Sequence, residues 1–182
     1  MPAEWYAAAL ALQCDRPVRL AWSRHEDSLH VYPRHGGRAT FRSGARADGT
    51  LLAMRASIEY DTGAYLGWAG GSILISTMLA SAPYRIPNLD LQARLVYTNK
   101  HVAGPVRAPG GPQTNFAKEL HLDELAHELG IDPLEFRLHN AWVEGDEGPT
   151  GQRLTGVSAK EVLERAARAI GWGTPKPAGR PF

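Results

Sequence analysis

The sequence predicts an α+β protein in which antiparallel strands, in a sheet that contains a hairpin, pack against helices. Two runs that alternate apolar and polar residues, 38–46 and 52–60, flank the dipeptide Asp48-Gly49. Alternation on both sides of a turn indicates an antiparallel hairpin with one buried face. Asp-Gly is also a strong signal for a two-residue hairpin turn. A third alternating run at 89–97 predicts another strand of the same sheet.

The remaining elements follow from local patterns along the chain. Ser23 and Glu26 have the spacing of a capping box, which indicates the start of a helix. The long helical run after Pro112 carries apolar residues on two sides, so we expect other layers to cover both. The segments predicted besides the three strands are a helix at 5–12, a strand at 18–22, a capped turn or short helix at 23–27, a buried helix at 72–80, a long helix at 112–130, and helices that begin at Asp132 and near Ser158.

Composition excludes several classes of protein. The 182 residues are 43% hydrophobic, which suffices for one sizeable core or two small ones. A net charge of +1 without any Lys/Arg run argues against a nucleic-acid partner. Cys14 is the single cysteine, which excludes both an internal disulfide and an iron–sulfur cluster held by this chain alone. We expect no membrane span, because no apolar stretch reaches about 20 residues. Both ends look cut, and a cytoplasmic location is expected.

The most informative stretch is the Gly- and Pro-rich connection at 104–113, between the third strand and the long helix. Glycine allows a backbone to approach a ligand closely, and Pro112 suits the first turn of a helix. The start of a helix favours an anion, and Arg107 adds a planar, permanently charged group. The pattern supports two interpretations equally: a rigid loop that holds an anionic group, or a stiff connection with a solvated arginine. It fits no standard phosphate motif.

No metal site and no catalytic residue are predicted within the chain. Glu124 and His127 have the spacing of a di-iron ligand pair, but the second pair that such a site requires is missing. His127-Glu128 begins a zinc-protease pattern, and Ile131 then occupies the position of its second histidine. Solvated charges on a helix are the simpler interpretation of these residues.

Seven short motifs, in this order, resemble the molybdopterin-binding large subunit of the xanthine dehydrogenase and aldehyde oxidase family of molybdenum hydroxylases. They are RPVR at 16–19 with SRHED at 23–27, DGTL at 48–51, DTGAY at 61–65, YRIPN at 84–88, VYTN at 96–99 leading into VRAPGGPQ at 106–113, DPLEFR at 132–137 and PTGQ at 149–152. The resemblance implies that residues 1–172 are part of a molybdopterin-binding domain, with a linker or truncated tail at 173–182.

The resemblance also implies a reaction and its cofactors. Members of the family insert a water-derived oxygen at a carbon of an aldehyde or an aromatic N-heterocycle. They use a molybdenum–molybdopterin cofactor, expected here in its dinucleotide form. Electrons leave through iron–sulfur clusters and FAD on other domains or subunits, so the implied partners are the remainder of the molybdopterin subunit, an iron–sulfur subunit and an FAD subunit. Arg107 matches the family arginine beside the cofactor, and Val106 and Ala108 should line the same wall.

Departures from the family pattern limit the activity expected of this chain alone and the class of substrate expected for the enzyme. The family's glycine-rich cofactor loop and its catalytic glutamate have no counterpart in this chain, which is therefore expected to be an internal piece that is inactive alone. Pro109 stands where purine-oxidising members carry a stacking phenylalanine, and Ile75 aligns where they carry an arginine. Ala108 replaces a cysteine of carbon monoxide-oxidising members. An aldehyde or a non-purine heterocycle is then the implied substrate. The alternative is a non-catalytic anion-binding or scaffold module that has kept the fold.

Overall fold

The computed structural model describes residues 2–174 and confirms the α+β class. The elements in this range are α1 (Pro2–Cys14), α2 (Arg24–His30), β1 (Gly37–Ala45), β2 (Leu51–Gly63), α3 (Ala69–Leu79), β3 (Asn88–Tyr97), α4 (Gly111–Glu128), α5 (Pro133–Asn140) and α6 (Ala159–Ile170). The tail predicted at 173–182 lies outside the described residues from position 175 onward.

The three strands form a mixed sheet in the order β1-β2-β3. β1 and β2 make the predicted antiparallel hairpin, and Gly49, at a φ of 86°, donates its amide to the carbonyl of Arg46 across the turn at 2.9 Å. β3 runs parallel to β2, so the expectation of an entirely antiparallel sheet is corrected. The reason is the connection between them: parallel strands need a crossover, and α3 supplies it.

The segment before the hairpin is only partly as predicted. Residues 18–22 form no strand, because the described sheet offers them no neighbouring strand and an isolated segment has no ladder of hydrogen bonds. The capping box that follows is confirmed. Ser23 Oγ accepts from the amide of Glu26 at 3.3 Å, and Glu26 Oε2 accepts from the amide of Ser23 at 2.8 Å.

The core lies between one face of the sheet and the helices α3, α4 and α5. Its fully buried members include Met54 and Ile58 of β2, Leu122 of α4 and Phe136 of α5. The expectation that both apolar sides of α4 are covered is wrong within residues 2–174, because Phe116 on the second side is 71% exposed. No helix in that range combines the length and the apolarity that a bilayer span requires.

A buried lysine joins α3 to α4. The ammonium of Lys118 donates to the carbonyl of Leu79 at 3.3 Å, to Asn115 Oδ1 at 2.9 Å and to the carbonyl of Ala82. Its Nζ also lies 3.3 Å from Glu119 Oε1. Burial lowers the pKa of Lys118, an effect that the neighbouring Glu119 carboxylate opposes. The end of α3 is thereby held against the first turns of α4, where the candidate site lies.

Candidate functional site

The loop that leads into α4 is built on two left-handed backbone positions. Ala108 has a φ of 57° and Gly110, the residue before the helix, has a φ of 75°. A Cβ at Gly110 would lie 1.9 Å from Ser76 Oγ and 2.6 Å from the carbonyl oxygen of Ser72. Glycine is therefore required here twice over, by its backbone angle and by the close approach of α3.

A buried hydroxyl cluster fixes this loop from below. Tyr60 of β2 donates its hydroxyl to the carbonyl of Gly110 at 3.0 Å. Ser76 Oγ of α3 lies 2.9 Å from the same phenolic oxygen, and Thr114 Oγ1 of α4 lies 3.1 Å from it. Side chains of α3 and α4 thus converge on the phenolic oxygen of Tyr60, which in turn bonds to the carbonyl of the loop residue Gly110. Because buried polar groups are costly unless they are paired, this cluster strongly favours a single position of the loop.

A second set of hydrogen bonds fixes the loop from the side. We call residues 33–36 the strap. The carbonyl of Pro33, in the strap, accepts a hydrogen bond from the amide of Gly104 at 3.0 Å. Arg34 Nη1 donates to the carbonyl of Val106 at 3.1 Å, and its Nη2 donates to the carbonyl of Arg107 at 2.8 Å.

The guanidinium of Arg107 and two backbone amides of the loop have no hydrogen-bond acceptor among residues 2–174. No carboxylate among residues 2–174 pairs with the exposed guanidinium of Arg107, and residues 104–113 contain no acidic side chain. Within the same range, the amides of Arg107 and Ala108 donate to no protein acceptor. Gly110 provides no side-chain cap for α4. A cation, two open amides and the start of an 18-residue helix are together suited to the oxygens of an anionic ligand.

Three polar atoms around the loop are buried without a protein partner, as far as the described residues go. They are His35 Nε2 of the strap, Ser72 Oγ of α3 and Gln113 Oε1 of α4. Gln113 nevertheless donates its amide nitrogen to the carbonyl of His35 at 3.2 Å, so the strap and α4 are connected directly. Unpaired buried polar atoms are rare in native proteins, and an ordered water or a ligand usually accounts for them. This observation fits a site that binds a further polar group.

The sequence-predicted site residues lie on two neighbouring elements. Val106, Arg107, Ala108 and Pro109 follow one another in the loop; the first three are exposed and Pro109 is half-buried. Ile75 lies on α3, half-buried, directly before Ser76, the residue against which Gly110 packs. The structure therefore brings α3 and the loop together, while the individual roles of these five residues stay predictions.

Comparison with known proteins decides the family. A family model described as "Molybdopterin cofactor-binding domain" matches residues 1–141. The chain belongs to this family, the molybdopterin-binding part of the xanthine dehydrogenases and aldehyde oxidases. A probable xanthine dehydrogenase subunit of Bacillus subtilis is 39% identical over 177 residues, covering 92% of this chain and 24% of the relative. The nicotinate dehydrogenase large molybdopterin subunit of Eubacterium barkeri is 35% identical, covering 88% and 38%.

A solved structure agrees with this molybdopterin cofactor-binding fold. The aldehyde oxidoreductase from Desulfovibrio gigas superimposes with a TM-score of 0.81 at 33% sequence identity, covering 92% of this chain and 18% of that one. The chain thus spans between about a fifth and two fifths of the length of the relatives it matches.

Sequence reasoning missed the residues that support the molybdopterin-domain loop. Tyr60 was expected only as part of the alternating run 52–60, and Arg34 lies in a stretch, 33–37, for which no helix or strand was predicted. Arg34 is 72 residues away from Val106 along the chain, so no local pattern could indicate their contact. Gln113 was available as part of the family motif, but its bond to the strap was not.

A carboxylate of the family motif DTGAY ties β2 to the chain that enters the loop. Asp61 Oδ1 accepts from the amide of Gly63 at 2.8 Å and from Thr98 Oγ1 at 2.5 Å, and Lys100 Nζ lies 2.8 Å from Asp61 Oδ2. The hydrogen bond from Lys100, followed by those from Thr98 and Gly63, lowers the pKa of Asp61 to about 2. Since these interactions favour the ionised form, they contribute stability only while Asp61 is charged.

Asp61→Asn is expected to reduce stability at neutral pH and to leave it unchanged in strong acid. The pKa of Asp61 falls on folding from 3.8 to about 2. Its contribution to stability is therefore complete above pH 3.8, the pKa of Asp61 in the unfolded chain. The contribution is lost as the pH falls through the pKa of the folded protein, which is about 2. Urea midpoints measured from pH 7 down to pH 2 should converge for the two proteins below pH 3.8. Asp15→Asn, at an exposed aspartate, is the control; a gap independent of pH would contradict the account.

The histidines and carboxylates of α4 are not grouped, within residues 2–174, as the ligands of a metal ion would be. His121 Nε2 lies 3.0 Å from Ser43 Oγ, its ring stacks on Phe41, and burial lowers its pKa. Among residues 2–174, no three or more His, Cys, Asp or Glu side chains lie together in a way that could hold a metal ion. A cleft of about 370 Å³ that includes Arg42 and Asp90 lies where β3 begins, at the opposite end of the sheet from the loop.

Proposed function

We propose that the loop at residues 104–111 binds the molybdopterin cofactor and that the chain forms one wall of the active site of a molybdenum hydroxylase. The observation that carries this proposal is the exposed guanidinium of Arg107, which pairs with no carboxylate among residues 2–174, beside two amides that donate to no acceptor in that range, in a chain of the molybdopterin cofactor-binding family. When bound, such a cofactor supplies the two-electron oxidation and the transfer of oxygen derived from water, while the protein supplies binding and orientation.

Each of the loop residues makes a different contribution to binding the cofactor. Arg107 contributes charge and up to five N–H donors toward anionic oxygens of the cofactor. Val106 and Ala108 flank it and line the same wall. The left-handed backbone of Ala108 supports this role, because it turns the chain between Arg107 and the start of α4. None of these residues is a nucleophile or a base, so no catalytic residue is assigned to this chain.

The proposed substrate is an aldehyde or a non-purine aromatic N-heterocycle. Pro109 and Ile75 would contact it, and neither side chain can pair with the polar edge of a purine or stack on it as an aromatic ring would. One relative is named aldehyde oxidoreductase and another nicotinate dehydrogenase. A third is named a probable xanthine dehydrogenase subunit, so the exclusion of purines rests on these two residues alone.

The electron path and the partners belong to the same proposal. One cysteine cannot hold an iron–sulfur cluster, and we propose that the electrons leave through clusters, and then FAD, held on other domains or subunits. We propose the dinucleotide form of the cofactor, a domain at 1–172, and partners that comprise the remainder of the molybdopterin subunit, an iron–sulfur subunit and an FAD subunit. A cytoplasmic location is part of the same proposal.

Arg107→Ala tests the proposal in the molybdopterin subunit that carries this chain. Losing a charge-assisted donor to an anionic group should lower the molybdenum retained per protein after gel filtration by about tenfold or more. Arg38→Ala, at an exposed arginine of β1, is the matched control and should retain its molybdenum. Equal retention in the wild type and Arg107→Ala would contradict the proposal. A folded wild type that binds phosphate but retains no molybdenum would favour the scaffold alternative.

A further inference from the structure

Arg34 uses its charge in an unusual way. It is half-buried in the strap, and no carboxylate among residues 2–174 pairs with it. Its two terminal nitrogens instead donate to two consecutive backbone carbonyls, those of Val106 at 3.1 Å and Arg107 at 2.8 Å. A planar guanidinium commonly binds the two oxygens of a carboxylate. Here it binds the carbonyl oxygens of two successive peptide groups.

This contact determines where the open amides of the loop point. In a planar trans peptide the C=O and the N–H of the same unit point in opposite directions. Because the carbonyl of Val106 faces Arg34, the amide of Arg107 faces away from it. In the same way, the carbonyl of Arg107 faces Arg34, so the amide of Ala108 faces away from Arg34. These are the two amides that donate to no acceptor in the described part of the chain.

No other hydrogen bond within residues 2–174 reaches these two carbonyls. The strap's other bonds to the loop and to α4 act on either side of them, at Gly104 and at Gln113, and its bonds to Asp61 connect it to β2. The hydroxyl of Tyr60 acts further along, at Gly110. Arg34 therefore has a function that its neighbours do not duplicate. It also polarises both peptide groups, which strengthens their N–H groups as donors.

We propose that Arg34 is a positioning residue for the cofactor: it orients the amides of Arg107 and Ala108 toward anionic oxygens of the molybdopterin group. This inference rests on the function proposed above. It adds a residue from the strap, outside the loop itself, whose action passes entirely through the backbone. Its side chain need not touch the cofactor.

The test compares four variants of the molybdopterin subunit that carries this chain: Arg34→Lys, Arg34→Ala, Arg107→Ala and the control Arg38→Ala. Lysine keeps the charge but has no planar fork, so it cannot hold both carbonyls in one plane. Arg34→Lys should keep the wild-type melting temperature and retain about tenfold less molybdenum per protein, the effect of roughly one lost hydrogen bond. Guanidinium added at non-denaturing concentration should partly restore retention in Arg34→Ala, and should do nothing for Arg38→Ala.

The outcomes separate the two proposals. A wild-type subunit that never retains molybdenum overturns both. If Arg107→Ala loses molybdenum while Arg34→Lys retains it fully, the function stands and the role of Arg34 is overturned. If Arg34→Ala fails to fold, Arg34→Lys decides by itself. Amide hydrogen exchange over residues 104–110 gives a readout independent of activity: loading with cofactor should protect this segment in the wild type and not in Arg34→Lys.

Discussion

Replacing Lys118 with methionine should lower the free energy of unfolding by about 3 kcal/mol or more, because three oxygen acceptors lose their donor at once. The Lys118 side chain is 1% exposed, and the three residues that accept from it are half-buried. Methionine keeps most of the packing volume but leaves the carbonyls of Leu79 and Ala82 and the amide oxygen of Asn115 without their donor. Each unsatisfied buried acceptor costs about 1–3 kcal/mol.

Urea denaturation at pH 7, followed by circular dichroism, measures this effect. Glu124→Ala changes an exposed charge on the same helix and should stay within about 0.5 kcal/mol of the wild type, as surface substitutions usually do. A similarly small change for Lys118→Met would mean that water or a shifted side chain satisfies the three acceptors. The account of how α3 is held against α4 would then be wrong.

Gly110→Ala should destabilise the protein by about 2–5 kcal/mol and abolish retention of the cofactor. The left-handed backbone contributes about 1–2 kcal/mol for a residue with a Cβ, and overpacking contributes a further 1–3 kcal/mol. The new methyl would meet Ser76 Oγ at 1.9 Å and the backbone oxygen of Ser72 at 2.6 Å. Because α3 cannot yield at its backbone, the loop with Arg107 must move instead.

Two comparisons make this result specific. Gly44→Ala adds a methyl where no atom lies within 4 Å and φ is not positive, so both stability and molybdenum content should be close to the wild type. Adding Ser76→Ala to Gly110→Ala removes the clash with Oγ but also the hydroxyl that bonds to Tyr60, so the double variant should recover at most part of the stability and little of the cofactor. Full recovery of both would contradict the role given to the Ser72 carbonyl and to the backbone angle.

The features that were predicted correctly are those that depend on residues close together in the sequence. The alternation on either side of Asp48-Gly49 gave the hairpin, the spacing of Ser23 and Glu26 gave the capping box, and the glycines and prolines gave the loop before α4. Alternation reveals which face of a strand is buried, but it carries no information about the direction of the neighbouring strand. The parallel pairing of β3 therefore had to be inferred from the helical run at 72–80, and it was not.

The support of the site could not be predicted for a different reason. Arg34 and Arg107 are 73 positions apart, and their contact exists only because β1, β2 and the crossover helix fold between them. The strand predicted at 18–22 failed in the same way, since an apolar run becomes a strand only when the fold supplies a partner. Family resemblance indicated Arg107 and its neighbours, but it contained no information about the carbonyls that Arg34 holds.

The most direct test of the central claim is the position of molybdenum in crystals of the molybdopterin subunit that carries this chain. An anomalous difference map collected at the molybdenum absorption edge locates the metal without reference to any assumed cofactor pose. We expect a single strong peak beside the guanidinium of Arg107, on the side of the loop opposite Arg34. A molybdenum peak remote from residues 104–111, with this loop facing only solvent, would contradict the claim.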